Sequence, residues 1–217
     1  MRQNHFVNKK TMKKPTFLLI GLLLTIFSGC GAEETIDYNN LVVPKEIDVT
    51  YAKGNAMAKV VITEYSDYQC PFCARFTLDT LPQLQNDYLE TGKVKFVFKD
   101  FPIPNHKYAQ LASEATYCAG EQNEEYYWKM HVKLFESQKD LSKEALIKYA
   151  EETGVNINVF KSCLENGKYK TLVLRNRQDG LTAGVGATPT LYINGTEVVG
   201  VQPYENLAKI IETELKK

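Results

Sequence analysis

The fold of this chain is decided by one ten-residue stretch, Glu64-Tyr65-Ser66-Asp67-Tyr68-Gln69-Cys70-Pro71-Phe72-Cys73. The apolar run Val60-Val61-Ile62 before it predicts a buried strand. Pro71 suits the first position of a helix, because the N–H that proline lacks would be unpaired there. Cys70 therefore falls at a helix start, beside free backbone N–H groups and the positive end of the helix dipole.

This position gives Cys70 the character of a redox thiol. The free N–H groups and the helix dipole favour the thiolate, which is the attacking species in disulfide exchange. Cys73 lies three residues further on, on the same helix face, and can close a small disulfide ring with Cys70. We therefore predict a redox-active dithiol.

Two other interpretations of the Cys-x-x-Cys pair remain open. It could be half of a zinc site, but zinc usually takes four ligands, and Cys118 and Cys163 do not form a second pair of this spacing. It could also be a purely structural disulfide. A bridge across two residues is strained and exposed, however, and such bridges are more typical of catalytic sites.

The first 29 residues have the composition of a secretory signal peptide. They contain five basic residues and no acidic residue, followed by eleven largely apolar residues, Phe17–Phe27. That apolar run is shorter than the roughly 20 residues that a membrane-spanning helix needs. The small residues Ser28-Gly29 complete the pattern, so we predict a signal peptide over residues 1–29.

The end of that segment, Ser28-Gly29-Cys30, resembles the lipobox of bacterial lipoproteins, with Phe27 where those proteins usually have leucine. The resemblance implies that Cys30 is lipidated and anchors the chain at the outer face of the bacterial cell membrane. An ordinary cleaved signal peptide with a spare cysteine is the alternative. Met12 could also be the true start of the chain.

The charge of the chain limits the kinds of partner that it can bind. After residue 29 the chain has 21 basic and 26 acidic residues, and an acidic body without a basic stripe argues against nucleic acid as a partner.

With Cys30 as anchor and the Cys-x-x-Cys pair catalytic, Cys118 and Cys163 are the two cysteines that remain, in an oxidising compartment. We predict a structural disulfide between them. Two buried free cysteines, or a second exchanging pair, are the alternatives.

Hydrophobic periodicity predicts three parts for the chain after residue 29. Residues 30–55 are predicted as a tether that can add an edge strand, and residues 56–217 as one domain. The predicted elements of the domain are strand 59–65, a helix over about 71–90 kinked or interrupted at Pro82, strand Val94–Phe98 with one wet face, a loop at Phe101–Pro104, helices from 105 to about 170 and on to Leu181, a hairpin turning at Asn194-Gly195, and a helix over Tyr204–Leu215.

This order of elements resembles the thioredoxin fold, and the helical block resembles the DsbA-like branch of exported thiol–disulfide oxidoreductases. The motifs that carry the resemblance are Cys70-Pro71-Phe72-Cys73, Phe101-Pro102 and Gly186-Ala187-Thr188-Pro189-Thr190, and it extends from about Lys59 to the C-terminus. It implies an α/β protein: a thioredoxin fold with an all-helical insertion, at about residues 105–170, between the two halves of the sheet.

The resemblance also implies roles for individual residues. Cys70 would be the exposed nucleophile, and Cys73 the buried resolving thiol. Pro189 would be a cis-proline that faces the dithiol, so that the Thr188 backbone pairs with a substrate strand beside Pro71 and Phe72. An ordinary trans turn at Thr188-Pro189 is the alternative.

Four further polar residues stand near these motifs. Glu64 lies where the family keeps a buried acid that exchanges a proton with the resolving thiol, although it could instead be a surface glutamate at a strand end. We expect Asp67 to be solvated. We expect His106 to lie at a helix start, with a position near the site as the alternative, and His131 to have a structural role.

The predicted function is oxidation of thiols in unfolded or reduced exported proteins. The resemblance implies re-oxidation by an integral-membrane, quinone-linked thiol oxidase, with no organic cofactor or metal, and we expect a monomer. Phe72 replaces the histidine of strongly oxidising relatives, and a less stabilised thiolate means a less oxidising disulfide. A reductase or isomerase, and a non-catalytic binding lipoprotein on a thioredoxin scaffold, therefore remain alternatives.

Overall fold

A five-stranded sheet carries the molecule. The computed structural model describes residues 41–217, so the predicted signal peptide and Cys30 lie outside the described residues. The strands are β1 (Ala52–Gly54), β2 (Val60–Ser66), β3 (Val94–Asp100), β4 (Thr190–Ile193) and β5 (Thr196–Val199), and their order in the sheet is β1-β3-β2-β4-β5. Strands β2 and β3 are parallel, whereas the other neighbours are antiparallel. β2, which leads to the dithiol, is therefore the central strand.

The helix that carries the dithiol is continuous but irregular. It begins as α1 (Pro71–Arg75), widens into a π-helical turn (Phe76–Thr80), continues as α2 (Leu81–Leu84) and ends in a second π-helical turn (Gln85–Leu89). The Leu81 N–H bonds the Phe76 carbonyl, five residues back. Pro82 has no N–H to donate, and the widened turn before it lets the chain continue as a helix past the proline.

Five helices form the insertion: α3 (Ala109–Gly120), α4 (Glu124–Glu136), α5 (Lys143–Thr153), α6 (Ile157–Glu165) and α7 (Lys170–Thr182). The side chains of Asn123, Ser142 and Asn156 accept from backbone N–H groups at the starts of α4, α5 and α6, as N-cap residues do. Helix α8 (Tyr204–Leu215) ends the chain. Within residues 41–217, none of the helices is both long and apolar enough to cross a membrane.

The sheet and the insertion share one hydrophobic core. This core includes Tyr68 of the dithiol loop, which is the segment Asp67–Cys70 between β2 and α1. Tyr68, Phe98 and Phe135 are buried aromatic residues whose rings lie within 6.4 Å of each other. His131 from α4 enters the same cluster, and its Nδ1 lies 2.9 Å from the Tyr68 hydroxyl. Burial lowers the pKa of His131 to about 3, so the ring is neutral at ordinary pH.

The folded part of the chain starts earlier than the predicted boundary at residue 56. β1 pairs with β3, Ile47 is buried in the core, and the Tyr51 ring stacks on that of Tyr127 at 4.1 Å. These residues lie in the stretch predicted as a tether that can add an edge strand, and β1 is an edge strand of the sheet. They pack here because β3 would otherwise present an open edge with unpaired backbone groups.

The face of β3 that was expected to be wet is only partly exposed. Lys95 and Lys99 are only half-exposed. The Lys99 ammonium donates to the Asn176 side-chain oxygen at 3.1 Å, and Asn176 belongs to α7. The last helix of the insertion therefore covers part of a face that the lysine alternation had assigned to solvent.

Candidate active site

Cys70 is the N-cap residue of α1. Its backbone is extended (φ −75°, ψ 119°), Pro71 occupies the first helical position, and its carbonyl accepts from the Ala74 N–H at 3.1 Å. The Cys70 sulfur lies 3.4 Å from the Thr188 carbonyl oxygen, to which its thiol donates. The loop that contains Thr188 covers the thiol, so Cys70 is only 5% exposed. The expectation of an exposed nucleophile is therefore wrong for this state of the protein.

The surroundings of Cys70 favour its thiolate. The Cys73 thiol, the Thr188 hydroxyl and the backbone N–H groups of Cys73 and Phe72 together lower the pKa of Cys70 to about 5, although burial acts in the opposite direction. The buried Thr188 hydroxyl has no hydrogen-bond partner within residues 41–217. It is therefore available to donate to a sulfur anion.

Cys73 has the opposite character. It is completely buried, and this burial raises its pKa well above the usual value, with further contributions from Cys70 and from the Glu64 carboxyl. Because the two pKa values move apart, the negative charge of the reduced pair resides on Cys70, and Cys73 keeps its proton. The site has one nucleophile and one protonated partner.

Glu64 lies under the dithiol in the centre of the sheet, opposite Phe98 of β3 and Leu191 of β4. It is fully buried, and neither carboxyl oxygen has a hydrogen-bond partner in the described part of the chain. Burial raises the pKa of Glu64 to about 8. A surface position for Glu64 is therefore excluded. Near neutral pH the group is a carboxylic acid, which can give a proton to the Cys73 sulfur.

The Thr188-Pro189 segment faces the dithiol. The peptide bond between these residues is cis, so the trans alternative does not hold. The Pro189 carbonyl accepts from the Gly200 N–H at 2.8 Å, which fixes the segment at the start of β4. On the other side of the dithiol, Phe72 is 55% exposed, and the Arg75 guanidinium lies 5.3 Å from the centre of its ring.

Asp67 is not solvated, contrary to expectation. It is 1% exposed, and its carboxylate accepts from the Gln69 N–H at 2.6 Å and the Ile103 N–H at 2.7 Å. The His106 Nδ1 lies 3.0 Å from the same carboxylate. The reason is that the Phe101–Pro104 loop folds back onto the dithiol loop. His106 therefore lies before α3 rather than in its first turn.

Three residues in or next to the dithiol loop and Glu64 were not singled out in the sequence. The Gln138 side-chain nitrogen donates to the carbonyls of Tyr68 (2.8 Å) and Cys70 (2.9 Å), and the Gln69 side chain accepts from the Tyr108 N–H at 2.5 Å. Ser66 is buried two residues after Glu64. The alternation of a strand could have identified Ser66, because residues i and i+2 share a face. No local pattern points to Gln138.

A central parallel strand that leads into a Cys-x-x-Cys helix, facing a Thr-Pro hairpin and covered by a helical insertion, defines a DsbA-like thioredoxin fold. The chain belongs to the thioredoxin family, whose model, described as thioredoxin, matches residues 47–213.

Individual relatives agree with this assignment. Disulfide bond formation protein D of Bacillus subtilis is 29% identical over 171 residues, which cover 75% of this chain and 76% of that protein. The crystal structure of oxidised BdbD from Bacillus subtilis superposes with a TM-score of 0.71 at 29% identity, covering 77% of this chain and 94% of that one. The Na(+)/H(+) antiporter NhaA 3 of Salinispora tropica is 29% identical over 182 residues, but the matched region spans only 27% of the antiporter.

Proposed function

We propose that this protein is a thiol–disulfide oxidoreductase that introduces disulfides into exported proteins. The observation that carries the proposal is the asymmetry of the pair: Cys70 caps α1 and has a lowered pKa, whereas Cys73 is fully buried next to Glu64 and has a raised pKa. The similarity to a protein named for disulfide bond formation supports the same direction. Cys70, Cys73 and Glu64 are the proposed catalytic residues.

The reaction begins with the disulfide form of the pair. A substrate thiolate attacks the Cys70 sulfur, the Cys70–Cys73 bond breaks, and a mixed disulfide joins the substrate to Cys70. The electron pair of the broken bond leaves on the Cys73 sulfur. That sulfur is buried, so its thiolate is unfavourable there and takes the proton of the neutral Glu64 carboxyl.

A second substrate thiolate then attacks the substrate sulfur of the mixed disulfide. A disulfide forms in the substrate, and Cys70 leaves as a thiolate, which its low pKa makes a good leaving group. Two electrons have moved from the substrate to the pair, and no cofactor takes part. Thr188 and Pro189 would hold the substrate backbone across the site, with Pro71 and Phe72 flanking it.

The local electrostatics favour an oxidase over a reductase. Phe72 contributes no charge, but the Cys73 thiol, the Thr188 hydroxyl and the backbone N–H groups of Cys73 and Phe72 stabilise the Cys70 thiolate without it. A stabilised thiolate stabilises the reduced form, and a pair whose reduced form is stable is an oxidant.

The setting of the reaction follows from the first part of the sequence. We propose export by the signal peptide over residues 1–29 and a lipid anchor on Cys30, which would place a monomer at the outer face of the cell membrane. The electrons would pass from the reduced pair to an integral-membrane, quinone-linked thiol oxidase. The disulfide that joins Cys118 of α3 to Cys163 of α6 would be structural and take no part in exchange.

The test is the reduction potential of the full chain together with its activity on a reduced, unfolded substrate protein. Stoichiometric oxidised protein should remove two thiols from the substrate for each molecule consumed. Equilibration with glutathione should give a potential above about −200 mV, in the range of oxidising family members. A potential near about −270 mV would identify a reductase instead.

A further inference from the structure

Gln138 connects the helical insertion to the residue that carries the reactive sulfur. It lies in the turn between α4 and α5, 68 positions along the chain from Cys70, and is half-buried. Its side-chain nitrogen donates to the Tyr68 carbonyl at 2.8 Å and to the Cys70 carbonyl at 2.9 Å. A primary amide nitrogen carries two hydrogens, so both bonds form at the same time.

The Cys70 carbonyl is also the acceptor of the first hydrogen bond of α1, from the Ala74 N–H at 3.1 Å. A carbonyl oxygen has two lone pairs and can accept both bonds. Together, Gln138 and Ala74 fix the orientation of the peptide that joins Cys70 to Pro71. This peptide determines where the Cys70 sulfur lies relative to the free N–H groups at the start of α1.

The opposite side of the dithiol loop is held by other residues. Asp67 accepts from the Ile103 N–H, and Gln69 accepts from the Tyr108 N–H, both at the entrance to the insertion. Gln138 holds the loop from the far end of α4. The dithiol loop is therefore held from two separate directions. The Gln138 side chain bonds the backbone of Cys70.

We propose that Gln138 is a positioning residue for disulfide exchange: it holds the N-cap geometry of Cys70 so that the Phe72 and Cys73 N–H groups face the Cys70 sulfur, and thereby makes the disulfide more oxidising. This inference rests on the proposed function, because it concerns the energetics of the same pair. The physical link is that backbone donors which face the sulfur stabilise the thiolate of the reduced form.

The test replaces Gln138 by methionine, which has a similar length but no donor. The full-length variant is equilibrated with glutathione buffers, and the thiolate absorbance of its reduced form is followed against pH. We expect the equilibrium constant for oxidising glutathione to fall about three- to tenfold, which corresponds to a potential lower by about 15–30 mV. The pKa of Cys70 should rise in the same variant. Gln138→Ala gives a second route to the same measurement if the methionine variant does not fold.

Gln122→Met is the matched control. Gln122 lies in the same insertion and binds both backbone groups of Asn156, donating to its carbonyl at 3.2 Å and accepting from its N–H at 2.8 Å, so its loss removes a comparable pair of bonds. This control should lose thermal stability without a change in potential. An unchanged potential in Gln138→Met, or an equal shift in Gln122→Met, would overturn the inference. A wild-type chain that fails to exchange with glutathione would instead overturn the proposed function.

Discussion

The two cysteine pairs of this chain are equally hidden from solvent but lie at opposite ends of their helices. Cys70 is 5% exposed and Cys73 is fully buried, while the values for Cys163 and Cys118 are 6% and 0%. Cys70 and Cys73 lie at the N-terminal start of α1. Cys118 and Cys163 each lie two residues before the end of their helix, α3 and α6, and are joined by a disulfide. Burial therefore does not separate the two pairs.

Position relative to the helix dipole separates them instead. The start of a helix offers free N–H groups and positive potential, which stabilise a thiolate, whereas the end offers carbonyl oxygens and negative potential. In addition, the dithiol has Glu64 beneath it and the Thr188 hydroxyl beside it. We therefore expect the same residue type to be reactive at one helix end and inert at the other, and four variants can test this contrast.

The largest effect should follow from Cys70→Ser. A hydroxyl at this position is far less acidic than a thiol and cannot form the mixed disulfide, so substrate oxidation should fall to the uncatalysed rate. The measurement is loss of free thiols from a reduced substrate protein. The double variant Cys118→Ala/Cys163→Ala serves as control and should keep its activity within about twofold at temperatures where it is folded. Residual turnover in Cys70→Ser would place the nucleophile elsewhere.

That same double variant should show the converse effect on stability. The Cys118–Cys163 bond closes a loop of 45 positions, and a cross-link of this length stabilises a fold by roughly 4 kcal/mol in the chain-entropy model. Denaturant unfolding should therefore show a loss of this order relative to wild type. Cys70→Ala/Cys73→Ala is the comparison, since its three-position separation leaves little loop entropy to lose. A loss below about 1 kcal/mol for the first variant would show that the insertion does not depend on its disulfide.

Glu64→Gln should change how stability depends on pH. The folded-state pKa of Glu64, about 8, is above its ordinary value of 4.5, so the fold favours the protonated form. The reduced wild-type protein should therefore lose stability as the pH rises from about 4.5 to 8, while the glutamine variant keeps it. We expect Glu64→Gln to be more stable than wild type by about 2–3 kcal/mol at pH 9, because relaxation and water entry reduce the full cost of the buried charge.

Exposed Glu144 supplies the control for that experiment, since Glu144→Gln should follow the wild-type pH curve. A slower rate of thiol–disulfide exchange in Glu64→Gln at neutral pH would add evidence for proton transfer to Cys73. Equal stability of Glu64→Gln and wild type across the whole pH range would contradict the buried, protonated carboxyl.

The smallest effect should come from Thr188→Val, which keeps the shape of the side chain and removes its hydroxyl. The hydroxyl contributes to the low pKa of Cys70, so that pKa should rise by about one in the variant. Thiolate absorbance against pH gives the value directly. Thr63→Val is the control, because Thr63 lies on β2 but on the face opposite to Glu64. A Cys70 that titrates as in wild type would remove Thr188 from the stabilisation of the thiolate.

Local sequence rules were sufficient to predict the helix, strand and hairpin that form the site. Pro71 after Cys70 predicts the helix start, Val60-Val61-Ile62 predicts the central strand, and Asn194-Gly195 predicts the hairpin that presents Pro189. Each depends on the preferences of a few neighbouring residues, which the chain carries wherever it is placed. The helical insertion could be predicted for the same reason.

Only the tertiary structure decided the polar contacts that Asp67 and Gln138 make near the dithiol. Asp67 is buried because a loop more than thirty residues further along the chain donates to it, and Gln138 reaches Cys70 across 68 positions. Part of the expected wet face of β3 is covered because Lys99 donates to Asn176 of α7. Hydrogen bonds and burial between distant segments depend on how helices pack on the sheet. Residue spacing along the chain specifies the elements, but not which of them come into contact.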